Sequence, residues 1–74
     1  MNAQIDLIQE HMVVVGCDGS VIGAVGAVLA QELSLYEVMG ALHAVPLGYI
    51  ASVDDKVRLA VTEAEVRRRW RPTN

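Results

Sequence analysis

A run of ten residues without a polar side chain, residues 21–30, is the most distinctive pattern in this sequence. A strand with one face in water normally alternates apolar and polar residues. This run does not alternate, so we expect a strand with both faces covered, either within the fold or by another chain. Gly23 and Gly26 inside the run predict a bulge or a bend, as in a sheet that curls towards a barrel.

Apolar segments on both sides of this run predict additional strands. Residues 13–15 are three consecutive valines, whose β-branched side chains favour strands. Asp18 and Gly19 follow, and this dipeptide predicts a hairpin turn because glycine takes the positive φ that such turns require. Three more strands are expected at residues 43–47, 49–53 and 57–61, with a tight turn at residues 54–56.

Residues 31–42 fit two structures. Residues 33–36 alternate briefly and favour a strand, which is the interpretation we prefer. Leu29, Leu33 and Tyr36 also lie at the spacing of one helix face, so a helix is the alternative.

Both ends of the chain have helical patterns. At the N-terminal end, a short helical turn is predicted from the apolar stripe of Ile5, Ile8 and Met12. Near the C-terminal end, Thr62 and Glu65 form a capping box, in which each residue can satisfy the amide of the other. Acids in the first turn and arginines in the last match the helix dipole. We therefore expect a helix over about residues 62–71, stopped by Pro72.

The composition limits how such a fold can be stabilised. A chain of 74 residues buries only about 60% of the surface that its unfolded form exposes. Cys17 is the only cysteine, so no internal disulfide can form, and no Cys/His cluster indicates zinc. Oligomerisation or an unusually apolar core is the remaining means of support, and 53% of the residues are hydrophobic.

Charge is divided unequally along the chain. Residues 1–55 contain seven acidic residues and no Lys or Arg. All six basic residues lie from Lys56 onward. An acidic body repels phosphate, so DNA binding is not expected. The basic end is interpreted as a solvated helix that leans on an acidic body. A contact with an anion or a partner is the alternative, through Arg67, Arg68, Arg69 and Trp70.

Location follows from the same features. The N-terminal end, from Met1 onward, has no positively charged segment of the signal-peptide kind. No strongly apolar stretch reaches the eighteen or so residues that a membrane-spanning helix needs. A lone cysteine also fits a reducing compartment, so a cytoplasmic location is expected.

The order of these features resembles a family of short bacterial proteins of unknown function that is similar to the PRC barrels. The resemblance runs from about Ile5 to Trp70, and its most specific part is the P-L-x-x-I-A-x-V-D stretch of residues 46–54. It implies a single PRC-barrel-like domain over residues 1–74, with the barrel at about residues 12–61 and a short terminal helix. The wider group generally serves in protein interaction or assembly, and the resemblance implies no catalytic residues.

Candidate chemistry is sparse. His43 with Asp54 and Asp55 would be a metal or small-molecule site, but scattered ligands without fixed spacing are weak evidence. Cys17 lies beside Asp18, whose negative charge disfavours a reactive thiolate. No catalytic, cofactor or metal residue is therefore assigned.

These observations lead to a fold and a function as expectations. The fold class is mostly β: a small, strongly bent antiparallel sheet or PRC-like barrel with a short C-terminal helix. The function is a non-enzymatic interaction or assembly module that self-associates, with a homodimer favoured. The residues expected to meet the second copy are Val21, Val25, Val28 and Ala30. A nucleic-acid or ribosome-associated accessory that uses the arginine helix is the first alternative, and a metal-binding or small-molecule barrel is the second.

Overall fold

The computed structural model describes residues 5–37, 40–69 and 71–72, which form one mixed β-sheet and one short helix. The strands are β1 (Val13–Val15), β2 (Val21–Val28), β3 (Glu32–Tyr36), β4 (Leu42–Pro46), β5 (Ile50–Val53), β6 (Val57–Leu59) and β7 (Arg71–Pro72), and the helix is α1 (Glu63–Arg69). Two 3-10 turns occur at Ile5–Leu7 and Leu47–Tyr49. The expected mostly-β fold with a short C-terminal helix is confirmed.

The strands lie in the order β5-β6-β1-β2-β3-β4-β7. Every neighbouring pair is antiparallel except β1 and β6, which run parallel with Val14 opposite Val57. The expectation of a purely antiparallel sheet is therefore wrong at this pair. The cause is long-range, because the β5–β6 hairpin returns to the free side of β1, and no local pattern encodes that direction.

The sheet is open. Among the described residues, β5 and β7 are its two edges and do not pair with each other. Of the two expected forms, the bent sheet is present and the closed barrel is not. Bulges supply the bending: the register skips Gly26 between β2 and β3, Ile22 between β1 and β2, and Ala51 between β5 and β6. The irregularity expected at Gly26 is confirmed.

Residues 31–42 contain the strand that we preferred. β3 pairs with β2 on one side and with all five residues of β4 on the other, so the helical alternative is wrong. β2 ends at Val28 and not at Ala30, because the amide of Leu29 donates to the carbonyl of Glu32 and closes the hairpin loop.

The turn between β1 and β2 is the one that the sequence predicts. Gly19 has a φ of +86°, and its amide donates to the carbonyl of Gly16 at 3.0 Å. The side chain of Asp18 accepts from the amide of Ser20 at 3.3 Å. Aspartate and glycine thus close the turn by a side-chain bond and by a positive φ.

The core lies on the inner face of the sheet, where side chains from β1 to β6 meet and α1 adds one residue. It contains only aliphatic side chains among its buried members: Val14, Ile22, Val25, Leu33, Leu35, Val45, Ile50, Val53, Val57, Leu59 and Val66. Val66 is the contribution of α1 and is fully buried. Ile8 and Met12, from the predicted N-terminal stripe, pack against the edge of this cluster.

The cap of α1 is present, but the helix is shorter than expected. The amide of Glu65 donates to the Thr62 hydroxyl oxygen at 3.2 Å, which is one half of the predicted capping box. The helix ends at Arg69, and residues 71–72 pair with β4 as the strand β7. The expected helix over residues 62–71 is therefore corrected at its C-terminal end.

Candidate functional site

The sheet has an inner face on the core and an outer face turned away from it. Directly paired residues of neighbouring strands share one face. Leu33 opposite Val45 defines the inner face, because both side chains are fully buried in the core. Residues one step along each strand therefore point outwards.

A row of apolar side chains crosses four strands on the outer face. The register places Val13 opposite Ala24, Ala24 opposite Tyr36, and Tyr36 opposite Leu42. We call these four residues the outer row. Val13 is 38% exposed and Tyr36 is 44% exposed, whereas Ala24 and Leu42 are half-buried.

Gly26 leaves the space that the ring of Tyr36 approaches. A Cβ atom at Gly26 would meet Tyr36 Cε2 at 3.0 Å and Leu42 Cδ1 at 3.4 Å. Both side chains therefore lean over the bulge, in space that only glycine leaves open. At the bulge, the ring of Tyr36 and the side chain of Leu42 therefore form one apolar surface close to the sheet.

The outer face of β1 to β4 carries very little charge. The outward positions, as register and alternation assign them, are Val13, Val15, Val21, Ala24, Gly26, Ala27, Glu32, Ser34, Tyr36, Leu42, Ala44 and Pro46. Among these positions, Glu32 is the only residue whose side chain is charged at neutral pH. An antiparallel sheet that faces water on one side usually has polar residues there. This face is therefore unlike a simple solvent-exposed face.

The residues predicted to meet a second copy do not form one surface. Val25 is 1% exposed and belongs to the core, so its assignment to a contact surface is corrected. Val21, Val28 and Ala30 are exposed. Val21 lies at one end of β2 and Val28 at the other, about 23 Å apart at the usual rise per residue of a strand.

The outer row was missed because it depends on strand register. Val13, Tyr36 and Leu42 come from three different strands, and nothing in their local sequence marks them as neighbours. The signal available was the apolar character of Ala24 and Gly26 in β2, which shows that this strand has no polar face. The partners of those positions become known only from the pairing.

Arg67 is held by carboxylates of its own chain. Its guanidinium lies 2.8 Å from Glu63 Oε2 through Nη2 and 2.7 Å from Glu37 Oε2 through Nη1. Hydrogen bonds that Arg67 donates to Glu63 and Glu37 raise its pKa above the usual value. This geometry agrees with a helix that leans on the acidic body. Arg68 and Arg69 are exposed, and Trp70 lies outside the described residues.

The proposed metal ligands are distributed over the fold. His43 lies on β4, with Nε2 3.6 Å from Glu37 Oε1. Asp54 lies in the β5–β6 turn, where its Oδ2 accepts a hydrogen bond from Arg58 Nε at 3.0 Å. In the part of the chain that the structure describes, no three His, Cys, Asp or Glu residues cluster as metal ligands would.

The fold and the outer row together define a small mostly-β domain with one sheet face on the core and a second, nearly uncharged face that is exposed in part, at Val13 and Tyr36 among others. Residues 8–67 match the model of a family described as an uncharacterized protein conserved in bacteria (DUF2171), and the chain belongs to that family. No curated protein and no solved structure gives a significant match. Among the described residues, no helix has the length and apolar character needed to cross a membrane.

Proposed function

We propose that this chain is a non-enzymatic interaction module that self-associates, most simply as a homodimer, through the outer row. The observation that carries the proposal is the continuous apolar row across β1 to β4, in which Val13 and Tyr36 are exposed and Ala24 and Leu42 are half-buried. Burying such a surface is favourable in proportion to the apolar area removed from water. Tyr36 would be the central anchor, because interface energy concentrates on aromatic residues in packed surroundings.

Charge favours a second copy as the occupant of this face. The chain has a net charge of −3, so most of its surface repels another copy. The outer face of β1 to β4 carries only Glu32 as a charge, so two copies meet there with the least repulsion. A twofold dimer uses the same patch on both subunits and needs no second complementary surface.

The resemblance to PRC barrels supports the same proposal. The residues that carry it lie in the β1–β2 hairpin and in the segment from Pro46 to Asp54. We propose that the chain is a relative of those barrels with an open sheet, and that it acts in assembly as the wider group does. A cytoplasmic setting is part of this proposal and agrees with the lone Cys17.

Sedimentation velocity on the full chain tests the proposal, with one charge added at a time. Val13→Glu and Tyr36→Glu each place a carboxylate in the outer row. Ala64→Glu is the matched control, because Ala64 is exposed on α1, whose buried Val66 packs on the inner side of the sheet. We expect the wild type and Ala64→Glu to be dimers at micromolar concentration, and the two outer-row variants to be monomers that remain folded.

Two results would contradict this proposal. A wild-type chain that sediments as a monomer at about 100 μM would remove it, since a homodimer that stays dissociated at that concentration has a Kd near the millimolar range and is too weak to be specific. Dimers that survive both outer-row substitutions would place the interface elsewhere. Circular dichroism on each variant separates lost association from lost folding.

A nucleic-acid or ribosome-associated accessory is a second candidate, and exposed Arg68 and Arg69 favour it. Two adjacent guanidinium groups in water can contact phosphate. The test is RNA binding at about 50 mM salt by the wild type and by an Arg68→Ala, Arg69→Ala variant. Salt-sensitive binding that the variant loses supports this candidate, and absence of binding at low salt removes it.

A further inference from the structure

The C-terminal segment is tied to the sheet through one carboxylate, that of Glu37. Its Oε2 accepts from Arg67 Nη1 at 2.7 Å, across thirty positions of sequence. Its Oε1 lies 3.6 Å from His43 Nε2 on β4. The side chain of Glu37 is only 19% exposed, so this pair is less open to solvent than an ordinary surface ion pair.

Both partners of this pair are positioned by other bonds. The amide of Glu37 donates to the carbonyl of Ala41 at 2.8 Å, and the amide of Gly40 donates to the carbonyl of Glu37 at 2.9 Å. Arg67 is oriented by Glu63, one helical turn earlier. The guanidinium is therefore aimed at Glu37 before the long-range contact forms, which reduces the entropy lost in forming it.

Beyond this pair, the chain covers the edge of the sheet. Residues Arg71 and Pro72 form β7 and pair with Ala44 and His43 of β4. Only two residues make this strand, and proline has no amide to donate. Without β7, β4 would be the outermost strand and its unpaired backbone groups would be a template for another chain.

We propose that residues 63–69 and 71–72 form an ionic clasp that covers the β4 edge, and that loss of the Glu37–Arg67 pair uncovers this edge for pairing with a second copy. A second copy is the occupant because an antiparallel β4 pair is symmetric about a twofold axis. β4 contains no Lys, Arg, Asp or Glu, which would discourage edge-to-edge pairing, and its Pro46, which also discourages it, lies beyond the residues that β7 covers. This contact uses the edge of the sheet and does not depend on the outer row.

The Glu37–Arg67 pair stabilises the clasp only modestly, so β7 can leave and rejoin the β4 edge reversibly. Arg67 is 39% exposed, and partly exposed pairs contribute little and are weakened by salt. Removing the long-range pair should accelerate local opening by about two- to fivefold.

Hydrogen exchange on the full-length chain tests the clasp with a matched pair of variants. Glu37→Gln removes the long-range pair and keeps the contact between Glu63 and Arg67. Glu63→Gln removes the ion pair between Glu63 and Arg67 and keeps the long-range pair between Glu37 and Arg67. We expect faster exchange at the amides of residues 44 and 71 in Glu37→Gln, by about two- to fivefold, and a smaller change in Glu63→Gln, whose amide oxygen can still accept from Arg67. Core amides such as those of Val14 and Val57 should be unaffected in both.

Sedimentation in a Val13→Glu background tests the second half of the proposal. This background removes association through the outer row, if that association exists, so any new species must use another surface. We expect Glu37→Gln to add a concentration-dependent dimer there, and Glu63→Gln not to. Unchanged exchange in Glu37→Gln, the same change in both variants, or the absence of a new dimer would each overturn the proposal. None of these results bears on the outer row.

Discussion

At the scale of single residues, glycines decide how closely the strands approach. A Cβ atom at Gly23 would overlap the carbonyl oxygen of Tyr36 on β3. The clash is with backbone, so no side chain can move aside to relieve it. The sequence predicts that Gly23 bends the strand, and the structure shows that it permits the close contact between β2 and β3.

Gly23→Ala should therefore destabilise the fold. Overfilling a packed position costs about 1–3 kcal/mol, and a backbone clash belongs at the upper end. Gly48→Ala is the control, because a Cβ there would meet no atom within 4 Å. Urea denaturation of both variants gives the comparison, and equal midpoints would show that the sheet can widen at Gly23.

Asp54 gives the chain a predictable response to acid. The backbone amide of Lys56 and the side chain of Arg58 lower the pKa of Asp54 to about 2. The folded state thus favours the charged carboxylate more than the unfolded chain does. The resulting stability is present above the ordinary value of about 4 and is lost as the pH falls towards 2.

Asp54→Asn should accordingly be less stable than the wild type at pH 7 and indistinguishable from it near pH 2. The carboxylate is exposed, so the difference at neutral pH should be small. Denaturant midpoints measured at several pH values provide the comparison. Arg58→Gln should reproduce part of the loss, and a gap that stays constant with pH would show that the charge of Asp54 is not its cause.

At the scale of elements, local sequence determined the hairpin and the start of the helix. The Asp18 and Gly19 turn and the Thr62 cap formed as predicted because their bonds span only two or three residues. The parallel contact of β6 with β1 and the addition of β7 to β4 were not predicted. Both pairings join segments that are far apart in sequence. Which strands pair in this way depends on how the rest of the sheet packs.

The cap of α1 can be tested by substitution. Thr62→Ala removes the acceptor for the Glu65 amide and should cost about 1 kcal/mol of unfolding free energy. Thr62→Ser keeps that acceptor and should restore most of the loss. Chemical denaturation followed by circular dichroism gives both values, and an equally unstable serine variant would point to lost packing of the threonine methyl group.

At the scale of the whole molecule, the two faces of the sheet are covered differently. The inner face carries the core, to which α1 adds Val66, whereas the outer face of β1 to β4 leaves apolar side chains such as Val13 and Tyr36 to solvent or to a partner. If that partner is a second copy, association should be apolar in character. The charge of −3 on each chain would then oppose it.

Raising the salt concentration from about 50 to 500 mM should preserve or strengthen the outer-row dimer. Screening reduces the repulsion between two negative chains, since the Debye length falls to only a few ångströms near 1 M. Sedimentation at both concentrations gives the dissociation constants. Weaker association at high salt would contradict an apolar interface and would point to ionic contacts of the arginine helix.

The sequence by itself predicted strands β1 to β6, with a helix left as the alternative at β3, and it predicted where the chain turns and which strand has no polar face. These properties depend on side-chain periodicity and on bonds between near neighbours. The tertiary structure decided which strands pair, at what register and in which direction. That decision buried Val25, aligned Val13, Ala24, Tyr36 and Leu42 in one row, and set Arg67 against Glu37. A contact between distant segments forms only when the whole sheet fixes their relative positions.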